Sequence, residues 1–272
     1  MKYLCFLLLL LVFLFSLKNV YSFTPLVNLQ INVDLLEEDK LLLIIEELEK
    51  REFKATIYAN FQFASKNLRI LNRVAKLGYE IALYGFNFEE KQRSLSYEEQ
   101  GDFLLNFIRL FSGCGICGFS IPIIGFKFYD FYQNEDIYKV LDELGILYIS
   151  GEGMKYSSEH ENDPFPFLLE GYNFYIVPIS SIYFSECKRK IYLYDKFAKL
   201  ELNFNPFQWL KVLEERLNIS LKDNIPMTFV ISDSITGSYE GYFKVFCYFL
   251  DRLREIGVRT ITTKELVTMY LQ

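Results

Sequence analysis

The chain has 272 residues, 51% hydrophobic, 18% aromatic and 24% charged. That is enough apolar material for one large domain or barrel, and the ordinary share of charge argues against wholesale disorder. The formal charge of −6 argues against nonspecific binding to nucleic acid or anionic lipid.

The first 22 residues, MKYLCFLLLLLVFLFSLKNVYS, read as a secretory signal peptide. Lys2 forms a short basic region, and Leu4–Leu17 is apolar apart from Ser16. Val20-Tyr21-Ser22 offers small residues for cleavage before Phe23. The alternative is an uncleaved signal anchor, although the run is short of the ~20 residues a spanning helix needs. Either way, residues 23–272 form one exported domain, and the membrane enters only through an uncleaved anchor. Cys5 leaves with the leader. Cys114, Cys117, Cys187 and Cys247 remain, and an exported protein permits one or two disulfides among them with the pairing open.

Leu26–Asp34 (LVNLQINVD) alternates apolar and polar residues and predicts a strand ending in an acid. Glu38–Glu52 predicts an amphipathic helix. Ala55–Ala59 is a short apolar strand, and Leu68, Leu71, Val74, Ala75 and Leu77 then recur at helical spacing until Gly78 closes the helix. Glu80–Tyr84 is the next strand, and Gly85 turns the chain out of it. Ser96 and Glu99 form a capping box for a helix to about Phe111. After the glycine-rich GCGICG at Gly113–Gly118, Phe119–Ile124 predicts a strand holding Pro122. A helix at Asn134–Gly145 leads to a strand at Ile146–Ile149, and Gly151–Asp163 is polar and loop-like. Strands follow at Phe174–Ile179 and Met227–Ser232, the second after a helix at Phe207–Leu217. A helix at Tyr242–Ile256, closed by Gly257, leads to a last strand at Val258–Ile261. Thr262 and Glu265 form a second capping box. About eight strands alternating with about seven helices predict an α/β fold, a distorted or incomplete (β/α) barrel with a mostly parallel sheet.

The stretch from KATIYA (Lys54–Asn60 region) to GYEIALYGFNF (Gly78–Phe88) resembles the polysaccharide deacetylase family. Members of that family remove N- or O-acetyl groups from chitin, peptidoglycan and related glycans. SYEEQ (Ser96–Gln100), DELGILY (Asp142–Tyr148) and GVRTITTKEL (Gly257–Leu266) extend the resemblance over nearly the whole mature chain. It implies the same barrel and a site built on a divalent metal, but the motif residues have changed. The two metal-binding histidines fall on Tyr84 and Phe88. The paired aspartates, base and metal ligand, have one counterpart. By residue character Asp34 is the base and Leu35 replaces the ligand, whereas a gapless count from Ala55 puts Asp34 on the ligand. The arginine of the arginine-proline motif falls on Ser120, ahead of Ile121-Pro122. The final histidine falls on Ser232, and its following aspartate survives as Asp233.

In any such barrel the active site forms where the strands end. The residues there are Asp34, Asn60, Tyr84 with Asn87, Ser120, Glu152, Ser180 and Asp233. A catalytic zinc wants three protein ligands and an open position, and this set is poor in them. The only histidine, His160, sits in the acidic loop SSEHEND, read as solvated. Asp34 and Asp233 are either a metal-free acid/base pair or relics that hold loop backbone or water, and with no nucleophile or metal beside them the second reading carries more weight. Tyr84, Asn87, Ser120 and Glu152 are candidate substrate contacts. Cys114-Gly115-Ile116-Cys117 precedes a strand instead of opening a helix, which favours a structural disulfide over redox work.

These readings converge on an exported deacetylase-like protein with no cofactor, its ancestral metal lost. It would act as a cell-envelope glycan-binding or structural module. The alternative is a carbohydrate or amide hydrolase rebuilt on Asp34 and Asp233. A last expectation is that Leu35, Tyr84 and Phe88 converge as an apolar plug at the strand ends.

Overall fold

A computed structural model describes residues 26–85, 96–112, 121–128, 135–153, 160 and 163–271. The leader, Phe86, Asn87, Phe88, Cys114, Cys117 and Ser120 lie outside the described residues.

The first strand sets the plan. β1 (Leu26–Val33) lies between β10 (Met227–Ser232) on one side and β2 (Thr56–Ala59) on the other, parallel to both. β3 (Glu80–Tyr84), β4 (Gly125–Lys127), β5 (Tyr148–Gly151) and β7 (Tyr175–Pro178) continue the sheet in parallel. β6 (Phe167–Leu168) finishes it antiparallel to β7, and β11 (Arg259–Ile261) pairs with the start of β1. A hairpin of β8 (Ser181–Phe184) and β9 (Arg189–Tyr192) stands apart. Backbone bonds from Ser180 to Thr228 and from Val230 to Leu193 close the gap between β7 and β10 without a regular strand. The result is the expected distorted, mostly parallel barrel.

Helices α1 (Glu38–Glu49), α2 (Phe61–Lys76), α3 (Tyr97–Ser112), α4 (Glu135–Glu143), α5 (Pro206–Asp223) and α6 (Glu240–Glu255) connect the strands, and α7 (Thr263–Tyr270) ends the chain. Both expected capping boxes form: Ser96 and Glu99 exchange bonds of 2.7 and 3.3 Å, and Thr262 and Glu265 of 2.8 and 3.2 Å. Asn205 and Gln208 make a third at the start of α5. Gly78 (φ 91°) and Gly257 (φ 70°) take the left-handed conformation that ends a helix.

The strand expected at Phe119–Ile124 is corrected. Residues 121–124 are irregular, and β4 begins at Gly125. Gly125 is there because the Tyr148 side chain crosses its backbone; a Cβ would meet the ring at 2.1 Å. Helix α5 runs six residues past Leu217, and β6, β8, β9 and a π-helical turn at Phe197–Glu201 were not anticipated.

The alternation of β1 now has a meaning. Val27, Leu29, Ile31 and Val33 belong to the large apolar core shared with the helices, together with Ile57, Ile81, Leu83, Phe126, Ile149 and Phe229. Asn28, Gln30 and Asn32 are equally buried but face the barrel interior. Inside, polar groups satisfy each other, as burial requires. Ser150 donates to Gln30 at 2.8 Å, Gln30 to Asn28 at 2.8 Å, and Asn28 to Ile261 carbonyl and the Thr263 hydroxyl. A small inner apolar cluster of Tyr58, Ala82, Tyr84, Tyr148 and Val177 packs with Leu266 and Val267 of α7, which closes the floor. Glu80 stands at that floor. It accepts from Tyr148, Thr56 and the Lys264 backbone at 2.8, 2.8 and 2.9 Å, and burial raises its carboxyl above the usual range.

Candidate functional site

At the opposite end of the barrel the strands deliver a cluster of charged residues. β1 runs into Asp34 and Leu35, β10 into Asp233 and Ser234, β4 ends on Lys127, and the segment after β9 brings Tyr194, Asp195 and Lys196 alongside β10, with Tyr194 bridging to Val230.

Asp34 and Asp233 are neighbours. The backbone N–H of Asp34 donates to Asp233 Oδ1 at 2.8 Å, and the N–H of Leu35 reaches both oxygens at 3.3 Å. Asp233 is fully buried. Burial, offset in part by these donors and reinforced by the Asp34 charge, pushes its carboxyl up to about 7. Asp34 opens more toward the surface. Its Oδ2 accepts from Ser234 Oγ at 2.8 Å and lies 3.8 Å from Lys196 Nζ.

Asp195 was not anticipated as a site residue. It is fully buried and accepts from the Ser232 N–H and hydroxyl and from the Thr236 N–H and hydroxyl, at 2.9, 3.1, 3.2 and 2.7 Å. Burial lifts it to about 7 against the pull of those donors. Lys127 was also missed. Its Nζ donates to Asn32 Oδ1 at 2.9 Å and lies 4.1 Å from the centre of the Tyr58 ring. Asn32 in turn donates its amide to the Tyr194 hydroxyl at 3.3 Å. Burial draws the Lys127 amine well below its usual value, and Asp34 and Asp195 pull it back.

The remaining expected residues are dispersed in role. Asn60 caps α2 by accepting from the Phe63 N–H and donates to Val33 carbonyl, so it joins β1 to α2. Ser180 is buried between β7 and β10, its hydroxyl accepting from Thr228 N–H at 2.9 Å. Glu152 is half-buried just after β5. Tyr84 is buried at the end of β3, beside the Tyr194 hydroxyl. Of the expected plug, Leu35 is half-buried and Tyr84 buried, while Phe88 lies outside the described residues. His160 stacks on Phe167, with ring centres 4.0 Å apart, and faces Asp163. Among the described residues Cys187 and Cys247 are free thiols: Cys187 turns toward Phe184 carbonyl at the β8–β9 turn, and Cys247 sits on α6 beside Glu47. Their possible partners Cys114 and Cys117 lie outside the described residues.

A probable polysaccharide deacetylase from Pseudomonas aeruginosa PAO1 superposes with a TM-score of 0.70 at 12% identity, over 90% of both chains. The fold is that of the polysaccharide deacetylases. A CE4 family pseudoenzyme from Bacillus anthracis shares it, with a TM-score of 0.56 at 14% identity, over 89% of this chain and 65% of that one. So does the PuuE allantoinase, with 0.69 at 11% identity over 90% of both. No protein-family model and no curated protein matches the sequence.

The deacetylase resemblance implies a divalent metal at the strand ends, and the described residues there do not fit one. Tyr84 offers a buried phenol where an imidazole is required, and Leu35 offers no donor. Lys127, in register with Tyr84 on the next strand, brings an amine into the neighbourhood. Among the described residues no group of three or more His, Cys, Asp or Glu is arranged to hold an ion. β4 ends on Lys127, so a cationic side chain stands at the end of the fourth strand.

Proposed function

We propose that this chain is an exported protein of the polysaccharide deacetylase fold that does not carry out metal-dependent deacetylation and serves at the cell envelope as a glycan-binding or structural module. The observation that carries this reading is that Tyr84 and Leu35 stand where the resemblance puts ion ligands, with the buried Lys127 beside them. Precedent for a silent site exists in the fold, since the Bacillus anthracis protein is described as a pseudoenzyme and one mutant of it as having restored enzymatic activity. Among the described residues no helix is long and apolar enough to cross a membrane, so anchoring would fall to the leader.

The test has two arms. Bound metal is measured in the purified protein, and acetate release is followed with acetylated chito-oligosaccharides in the presence of zinc or cobalt. Neither stoichiometric metal nor turnover is expected, and retention on insoluble chitin or peptidoglycan is. Turnover dependent on a stoichiometric ion overturns the reading.

One observation favours a second reading, a hydrolase rebuilt on Asp34 and Asp233. A carboxyl that titrates near 7 beside a more exposed carboxylate is how paired acids divide donor and acceptor roles. Against it, the oxygens of Asp233 are already engaged by the backbone of Asp34 and Leu35. Under this reading Asp34→Asn and Asp233→Asn each abolish hydrolysis of a glycan or amide substrate while circular dichroism stays native.

A further inference from the structure

Three acids, Asp34, Asp195 and Asp233, meet two lysines, Lys127 and Lys196, at the strand ends. Lys196 is a surface contact, 3.8 Å from Asp34 with part of its side chain in solvent. Lys127 is different, because no part of it is exposed. A fully buried lysine is costly unless its surroundings favour its charge. Both of its nearest partners are electron-rich, the amide oxygen of Asn32 at 2.9 Å and the face of the Tyr58 ring at 4.1 Å. The Asn32 amide presents its oxygen to Lys127 while its nitrogen donates to the Tyr194 hydroxyl. Tyr84 and Tyr194 complete the surroundings, with Asp34 and Asp195 acting on the amine through space.

We propose that the Lys127 ammonium is the resident cation of the strand-end site, a positive charge built into the chain. This rests on the reading that the site takes no divalent metal, and it goes further by naming the charge that the site holds. Positive charge supplied by the chain favours the carboxylate forms of Asp34 and Asp195. It also repels a second cation, so the site disfavours divalent ions even when they are abundant.

The test empties the position. Lys127→Ala leaves a cavity flanked by Asn32 Oδ1 and the Tyr58 ring, while Lys127→Met fills the same space without charge. The expected result at pH 8 is that both variants melt below wild type. Methylammonium or ethylammonium chloride then raises the melting temperature of Lys127→Ala by several degrees over an equal concentration of sodium chloride, with no such gain in Lys127→Met or wild type. An equal response to ammonium and sodium salts in all three proteins overturns the proposal. If the variants do not fold, the wild type alone decides. In lysine-labelled protein at pH 7 the 15N signal of Lys127 Nζ is expected at an ammonium shift, and an amine shift overturns the proposal. These readouts do not depend on glycan binding or acetate release. A protein that fails to bind glycan but passes here loses only the functional reading. One that binds a stoichiometric divalent ion loses both.

Discussion

Removing the Asp195 carboxylate tests whether this buried acid organises the end of β10. In Asp195→Ala the backbone N–H of Ser232 loses its acceptor inside the protein and two hydroxyls lose theirs, while the Thr236 N–H keeps the Ser232 carbonyl at 2.8 Å. Hydroxyls can rotate toward other partners; backbone N–H groups cannot. Each stranded donor costs ~1–3 kcal/mol, and relief from burying a charge returns part of that. A net loss of about 2 kcal/mol is expected at pH 8, or ~4–8 °C in melting temperature for a chain of this size. Asp195→Asn behaves differently. Its carbonyl oxygen can keep the three bonds made by Oδ2, and its amide can donate to Ser232 Oγ, so its loss at pH 8 stays below ~1 kcal/mol. Urea unfolding followed by the fluorescence of Trp209, the single and buried tryptophan, gives both values, with an unchanged m-value as the sign of an unaltered unfolded state. The pH dependence separates the cases further. The folded-state value of about 7 lies above the ordinary 3.8, so between these values the folded protein holds a proton that the unfolded chain has released. The stability contributed by Asp195 is therefore present below pH 4 and lost as pH rises to 7, by an amount of order 4 kcal/mol. Asp195→Asn should flatten that fall. Losses in Ala and Asn that match, or an Ala variant within ~1 kcal/mol of wild type, would refute the reasoning.

Asp233→Ala should cost about 2–4 kcal/mol by the same logic, since the Asp34 and Leu35 N–H groups lose their acceptor; chemical denaturation measures it, and a neutral result would show that water replaces the carboxylate. Gly125→Ala should be strongly destabilising because its Cβ would lie 2.1 Å from the Tyr148 ring, and the double variant Gly125→Ala/Tyr148→Leu should recover part of the loss in a thermal melt. Thr262→Ala breaks the last capping box and should cost ~1 kcal/mol, read from the urea midpoint. Exposed pairs such as Lys211–Glu186 and Lys244–Glu240 should contribute little, and neutralising either partner should leave the midpoint unchanged within error.

Much of the scaffold was legible because local signals and tertiary demands agree. The alternation of β1, the glycines at 78 and 257, and the two capping boxes each declare a boundary that the structure keeps. β4 was misplaced because Ile121, Ile123 and Ile124 look more like a strand than Gly-Phe-Lys does. Which segment pairs with β3 is decided by the space over Gly125, a contact with Tyr148 that is distant in sequence. The site was legible in halves. Asp34 and Asp233 stand where strand periodicity ends, so they could be found and their adjacency expected. Asp195 follows no strong strand and reaches the site only because Tyr194 bridges to Val230. The signal for it was the acid in IYLYDK, closing an alternating run, and its weight depends on the hairpin before it. Lys127 carries no local signal of its role; only the inward pleat of β4 shows that it is buried.

The inner column of the barrel also bears on the order of folding. Asn28, Gln30, Thr56, Tyr58 and Glu80 lie in the first third of the chain, yet Ile261, Thr263 and Lys264 supply partners for all of them. A growing chain that has made β1, β2 and β3 therefore carries polar groups facing the future interior that must stay hydrated, and a lumen that cannot close. The barrel can dry only after its last ten or so residues arrive. A chain ending at Ile256 should accordingly keep helical circular dichroism but remain open to protease around β1–β3, and addition of a peptide spanning residues 257–271 should restore protection.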